Sequence, residues 1–228
     1  MRPTLPSLIA TIACIAGLAS GCATTSIPVE QSCERPLDPR VANSCVVSER
    51  TLWRGARPGA EAAAALVELG VRTVVSLELF QDDRSAFEAA MIGSPDHREI
   101  QYFQIRDWEP LVLLSHDAVD DRVAHFLAIA RTQPKPVFVH CRSGQNRTGI
   151  MVAAYRVFEG TDIEDAILEM EKYGGFWSKS DADYIRTLTP ERRAAIEQRI
   201  IDWIPRLKRS ARIVCSGGKC ILDAGGPS

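Results

Sequence analysis

The sequence has almost no net charge, no CxxC pair and no internal repeat, and each absence removes a class of function. Its 27 basic residues stand against 29 acidic ones, so no global field steers nucleic acid or an anionic membrane surface. Without CxxC spacing or a nearby histidine, the cysteines do not read as a zinc site. Proline and glycine, at 13 and 15 of 228 residues, are too few for a low-complexity or fibrous chain. The one long apolar run, Leu8–Ser20, is too short to span a bilayer as a mature helix. What remains is a globular chain with room for one catalytic-size domain.

Residues 1–21 read as an export signal, with Met1-Arg2 as a short basic start and Leu8–Ser20 as the apolar core. The run ends in Leu18-Ala19-Ser20-Gly21-Cys22, which resembles a bacterial lipobox. There the signal is cut before the cysteine, and Cys22 becomes a lipidated N-terminus on the periplasmic face of a membrane. Ala23 after the cysteine favours the outer membrane. A plain secretory signal, leaving a soluble periplasmic protein, or an uncleaved anchor stays open. Export makes disulfides permissible. With Cys14 in the signal, Cys22 at the lipobox and Cys141 discussed below, Cys33, Cys45, Cys215 and Cys220 remain. Three connectivities are open, as are four free thiols. Local pairing, Cys33 with Cys45 and Cys215 with Cys220, is the expectation. The second pair would staple a hairpin over Ile213–Leu222 with a Gly217-Gly218 turn.

Residues 22–50 are polar, proline-containing and without period, and read as a tether. Residues 51–206 read as the catalytic domain and 207–228 as a tail carrying the hairpin. Within the domain, Leu52-Trp53-Arg54, the β-branched run Val71–Leu77, Tyr102–Ile105 and Val137-Phe138-Val139 predict strands. Helices are predicted near 61–69, 85–91, 115–133, 148–159, 163–173, 181–188 and 190–206. Ser115 is placed to cap the third of these, whose apolar positions include Val119, Val123, Phe126 and Leu127. The helix over 148–159 is apolar almost all round and belongs in the interior. Strands alternating with helices predict an α/β fold, a mostly parallel sheet flanked by helices.

Between the buried strand and the buried helix lies His140-Cys141-Arg142-Ser143-Gly144-Gln145-Asn146-Arg147-Thr148. A cysteine at a strand end, five residues, an arginine and a helix start make a recipe for binding phosphate. The amides of residues 142–147 can form a nest around phosphate oxygens, and the helix N-terminus adds positive potential. Arg147 offers a planar fork to further oxygens. The same donors surround the Cys141 sulfur and favour its thiolate. Gly144 lets the loop turn, Thr148 can donate its hydroxyl to the departing sulfur, and His140 fixes the loop backbone. Arg142, Ser143, Gly144, Gln145 and Asn146 are the substrate-contacting positions.

This segment resembles the HCxxGxxR-Ser/Thr signature of the cysteine-dependent tyrosine and dual-specificity phosphatases. The resemblance implies Cys141 as nucleophile, Arg147 as phosphate clamp and a cysteinyl-phosphate intermediate, with no metal or other cofactor. It also implies a general acid on a loop before the cysteine. Asp107, 34 residues upstream, is that candidate, with Glu109, Asp96 and Asp117 as competitors. Leu52–Pro58 and Val71–Leu77 extend the likeness to small bacterial periplasmic tyrosine phosphatases and fungal inositol-polyphosphate phosphatases of the atypical dual-specificity group. Arg54 and Arg57 read either as substrate contacts or as ordinary surface arginines. The loop adds one cation, Arg142, where phosphoinositide-type loops carry two, so phosphotyrosine in proteins is the expected substrate. Inositol polyphosphates or other small phosphomonoesters are the alternative, and a non-catalytic phosphate-binding lipoprotein the remote one.

Overall fold

The computed structural model describes residues 33, 35–81, 83–92, 99–216 and 218–224. The export signal, the lipobox Cys22 and the candidate acid Asp96 lie outside the described residues. In chain order the elements are β1 (Cys45–Ser48), β2 (Leu52–Ala56), α1 (Ala60–Glu68), β3 (Thr73–Ser76), α2 (Arg84–Ile92) and β4 (Glu99–Gln104). There follow α3 (Leu111–Leu114), α4 (His116–Thr132), β5 (Val137–Cys141), α5 (Asn146–Phe158), α6 (Ile163–Glu171) and α7 (Ser178–Arg186). The last are α8 (Pro190–Trp203), a 3₁₀ turn at Ile204–Arg206, β6 (Ala211–Ser216) and β7 (Lys219–Ala224).

The strands form one seven-stranded sheet in the order β1-β2-β5-β3-β4-β6-β7. β2, β5, β3 and β4 run parallel, while β1, β6 and β7 are antiparallel to their neighbours. β5 is therefore central, held in register by β2 on one side (Ala56 opposite Cys141) and β3 on the other (Ser76 opposite His140). All of β2, β3 and β5 is buried, as parallel strands covered on both faces must be. Side-chain alternation divides their apolar residues between two cores. Val137 and Val139 join Val75, Leu52 and α4–α8 on one face, whereas Phe138 joins Val74, Trp53 and α1–α2 on the other. α5 is buried nearly all round beneath the first core. The Ser115 hydroxyl accepts from Ala118 N at 3.2 Å and starts α4.

Two boundaries differ from the sequence reading. The segment read as an aperiodic tether contributes β1, whose Cys45 pairs with Arg54 of β2. Four edge residues are too few to show a period, so the strand is legible only from its partner. The tail likewise belongs to the sheet, since β6 pairs with β4 along Glu99–Tyr102. Cys33 is joined to Cys45 and Cys215 to Cys220, and Cys141 is the free cysteine among the described residues. Cys215 and Cys220 face each other across the β6–β7 hairpin.

Candidate active site

Open parallel sheets present ligand sites beyond the carboxyl ends of their strands. The C-terminal end of β5 delivers Cys141, fully buried, to the start of a loop that closes at Arg147 in the first turn of α5. Four carbonyls of this loop are engaged, three by residues of other segments and the fourth by the first turn of α5. Arg57 N donates to Arg142 O (3.4 Å), Asn43 Nδ2 to Ser143 O (2.8 Å), Arg54 Nη2 to Gly144 O (2.5 Å) and Gly149 N to Gln145 O (2.7 Å). Among the described residues no backbone carbonyl accepts from the amides of Arg142–Gln145. Carbonyls turned outward leave amides turned inward, which is the electrostatics of an anion nest. Gly144 has φ +73°, and a Cβ there would lie 2.6 Å from the Gly55 carbonyl carbon and 2.7 Å from Ala56 N. No other residue fits that close approach to β2.

Arg147 is held in place before any substrate arrives. Its Nη1 donates to Leu77 O at 2.7 Å and to Asp107 O at 3.3 Å, and its Nε donates to Glu109 Oε1 at 3.3 Å. Glu78 Oε2 lies 4.0 Å from Nη1. The Thr148 hydroxyl is buried and has no hydrogen-bond partner among the described residues. His140 is buried beside Phe138, and its Nε2 lies 3.2 Å from Asp83 Oδ2. Asp83 Oδ1 in turn accepts from the Tyr102 hydroxyl at 2.6 Å. Burial alone would raise the Asp83 carboxyl, but His140 and Tyr102 bring it below the usual carboxylate range. Asp83 thus lies between His140 of β5 and Tyr102 of β4, hydrogen-bonded to the tyrosine.

The acid candidates separate by position. Asp117 is exposed on α4 and pairs with Arg199 of α8, away from the cleft. Asp107 lies directly at the cleft, only 5% exposed. Burial pushes its carboxyl up to about 6, against the pull of Arg147 and Arg122. Glu109 also lines the cleft, but against Arg147. A further carboxylate was not anticipated. Asp181, 1% exposed in the first turn of α7, accepts from Asn146 Nδ2 at 2.8 Å. Burial pushes it up to about 7, with Glu109 and Asp107 adding to the rise and the Asn146 bond opposing it. Its register was visible in sequence, since Asp181 shares the buried helix face of Tyr184 and Ile185.

Arg54 and Arg57 part company. Arg57 lines the cleft with Arg142, Ser143, Gln145, Asn146 and Arg147. Arg54 is neither a substrate contact nor a surface arginine, because its side chain is 0% exposed beneath the loop. It occupies an inward position of β2, a strand buried on both faces. The loop after α6 closes the other side. Gln145 Nε2 donates to Tyr173 O at 2.8 Å, and Gly175 (φ +130°) leaves the space that the Asn146 amide fills. That loop carries Phe176 and Trp177 to the cleft, which Phe80 and Trp108 also line. Phe80 and Phe176 are 86% and 89% exposed. The cleft measures about 760 Å³.

A buried cysteine at the end of a central parallel strand, followed by an arginine clamped at a helix start, makes a loop built to hold an anion against a thiol. The model of the family described as "PTP-NADK: DSP-PTPase phosphatase fused to NAD+ Kinase" matches residues 39–186, and the chain belongs to that family. Two relatives from strains of Pseudomonas aeruginosa are each named dual specificity protein phosphatase TpbA. One is 32% identical over 163 residues, covering 70% of this chain and 66% of its own length. The other is 35% identical over 135 residues, covering 58% and 54%. The chain therefore spans about two thirds and about half of the curated relatives it matches. The crystal structure of P. aeruginosa TpbA superposes with a TM-score of 0.53 at 26% identity, over 73% of this chain and 92% of that one. A Cys→Ser variant of TpbA in complex with phosphotyrosine gives 0.50 at 25% identity, over 73% and 97%.

Proposed function

We propose that the chain hydrolyses phosphate monoesters, phosphotyrosine in proteins foremost, through a cysteinyl-phosphate intermediate. The observation that carries this reading is the buried Cys141 inside a nest of free amides, with Arg147 and a protonatable Asp107 in one cleft. The Cys141 thiolate attacks phosphorus, and the bond from phosphorus to the ester oxygen breaks. Asp107 gives its proton to the leaving oxygen. Arg147 and the loop amides carry the charge of the equatorial oxygens. Water then attacks the cysteinyl phosphate, Asp107 takes its proton, and the Thr148 hydroxyl stabilises the departing thiolate. Phosphate leaves, and the enzyme is restored.

Phosphotyrosine is preferred because the entrance is rimmed by Phe80, Trp108, Phe176 and Trp177. Aromatic walls suit an aryl ester. The cation count alone does not favour a polyphosphate. Arg57, Arg142 and Arg147 share the cleft with the carboxylates Glu78, Asp107 and Glu109. Arg57 and Arg142 are the specific observation for the alternative, an inositol polyphosphate or other small phosphomonoester. Side-by-side kcat/KM values for phosphotyrosine peptides and inositol hexakisphosphate test the preference. A higher value for inositol hexakisphosphate reverses it.

The placement proposed for the enzyme is the periplasmic face of a bacterial membrane, through a lipid on Cys22. It is supported by the leader and lipobox sequence alone. Among the described residues no helix is long and apolar enough to cross a membrane. Palmitate labelling that leaves Cys22 unlabelled overturns the anchor.

A further inference from the structure

Arg54 is the largest fully buried side chain of the described residues, and it is poorly paired. One of its five N–H groups reaches a hydrogen-bond acceptor, Gly144 O at 2.5 Å. Its Nε and Nη1 have none. The guanidinium instead sits over the Tyr173 ring, with Cζ 3.6 Å from the centroid. No carboxylate forms an ion pair with it among the described residues. The contrast with Arg156 is instructive. That buried arginine is paired by two bonds, 2.8 and 3.3 Å, to Glu169.

A buried, half-satisfied cation is expensive, and a methionine or leucine would fill the same space at lower cost. Burial accordingly presses Arg54 toward its neutral form. The geometry identifies which part of the site the side chain supports. Arg54 pairs in register with Val139, two residues before the nucleophile, and its side chain ends on the carbonyl three residues after it. Head and stem therefore bracket the loop that encircles the sulfur. Its other contact, Tyr173, is the residue whose carbonyl holds Gln145 and whose loop continues to Phe176 and Trp177 at the rim.

We propose that Arg54 is a positioning residue for the phosphate loop, clamping the Gly144 carbonyl outward from beneath and supplying a fixed positive charge to the Cys141 thiolate. The clamp turns the Gly144 peptide so that its neighbouring amides point at the anion. The charge favours the thiolate before substrate binds, when no phosphate competes for it. Arg54 touches no substrate, and its whole effect runs through the loop and the sulfur. This rests on the phosphatase reading only for its effect on turnover, because thiolate formation can be read without substrate.

The test is the pH dependence of Cys141 alkylation by iodoacetamide in the disulfide-intact protein, for wild type, Arg54→Met and Arg54→Lys. Arg54→Met is expected to move the alkylation midpoint upward by about one pH unit, leaving roughly tenfold less thiolate on the acid side. Arg54→Lys keeps the charge but loses the planar fork. It is expected to hold the midpoint near the wild-type value while raising KM for p-nitrophenyl phosphate several-fold. Circular dichroism and a cooperative melt establish that each variant is folded. A folded Arg54→Met protein with an unmoved midpoint overturns the proposal. If Arg54→Met does not fold, Arg54→Lys decides, and a midpoint raised by a full unit despite the retained charge overturns it. Wild type that alkylates as expected but hydrolyses no phosphate ester would sink the functional reading and leave the Arg54 proposal standing.

Discussion

Replacing Asp107 with asparagine removes the proposed proton donor of the first step, which is also the proposed base of the second. The side chain is only 5% exposed, and burial lifts its carboxyl to about 6. With an ordinary carboxyl near ~3.9, about one molecule in a thousand would carry the proton at pH about 7. With a value of about 6 the fraction is about one in eleven, so burial enlarges the competent population roughly a hundredfold. Asparagine has the same shape and leaves the backbone carbonyl that receives Arg147 in place, but it has no proton to give to an alkoxide. For an alkyl phosphate, kcat should fall by about 10²–10⁴. For p-nitrophenyl phosphate, whose leaving group needs little help, the fall should be far smaller. The assay is kcat against pH with both substrates. Wild type should lose rate as pH rises through about 6, and the variant should lack that limb. If alkyl phosphate turnover stays within threefold of wild type and the limb persists, Asp107 is not the acid, and Glu109 or Asp181 takes its place.

Three further perturbations follow from the same geometry. Gly144→Ala forces a non-glycine residue to φ +73° and a Cβ within 2.6 Å of β2. Urea unfolding should show a loss of about 1–3 kcal/mol, with activity reduced at least tenfold by the displaced loop. Glu109→Gln removes the carboxylate that occupies Arg147 Nε at 3.3 Å. KM should fall several-fold at low salt with kcat little changed, whereas an increase would show that Glu109 orders the clamp rather than competing with phosphate. Asp181→Asn keeps an acceptor for Asn146 but removes a carboxyl that burial raises to about 7. A folded-state value above the unfolded ~3.9 means the protonated form favours folding. That contribution is complete below about pH 4 and is lost as pH rises through about 7. Thermal melts should therefore agree at low pH and show the variant more stable at pH about 8, by on the order of a few kcal/mol. A difference that does not change with pH contradicts this.

The phosphate loop was legible because its chemistry is local: strand, loop and helix are contiguous from Val137 to Phe158. The place of Asp107, the proposed general acid, beside the cleft was also legible, since it follows β4 directly. What escaped depends on pairing between distant segments. β1 is four residues on a sheet edge, and only its register with β2 makes it a strand. Asn43 supports the Ser143 carbonyl from 100 residues away. Arg54 read as a substrate contact or a surface arginine because arginine is rarely buried unless paired. Its burial follows from β2 lying beside the central strand with both faces covered. Asp181 stood at an apolar position of an amphipathic helix, the kind of mismatch between residue type and register that marks a functional position.

In the proposed mechanism Cys141 becomes covalently phosphorylated during turnover. The most direct measurement is rapid acid quench of the enzyme with a phosphotyrosine peptide, followed by mass spectrometry of the peptide that contains Cys141. The mechanism predicts a transient phosphate adduct on Cys141, absent from Cys141→Ser. Steady turnover without that adduct, or turnover surviving in Cys141→Ser, would contradict it.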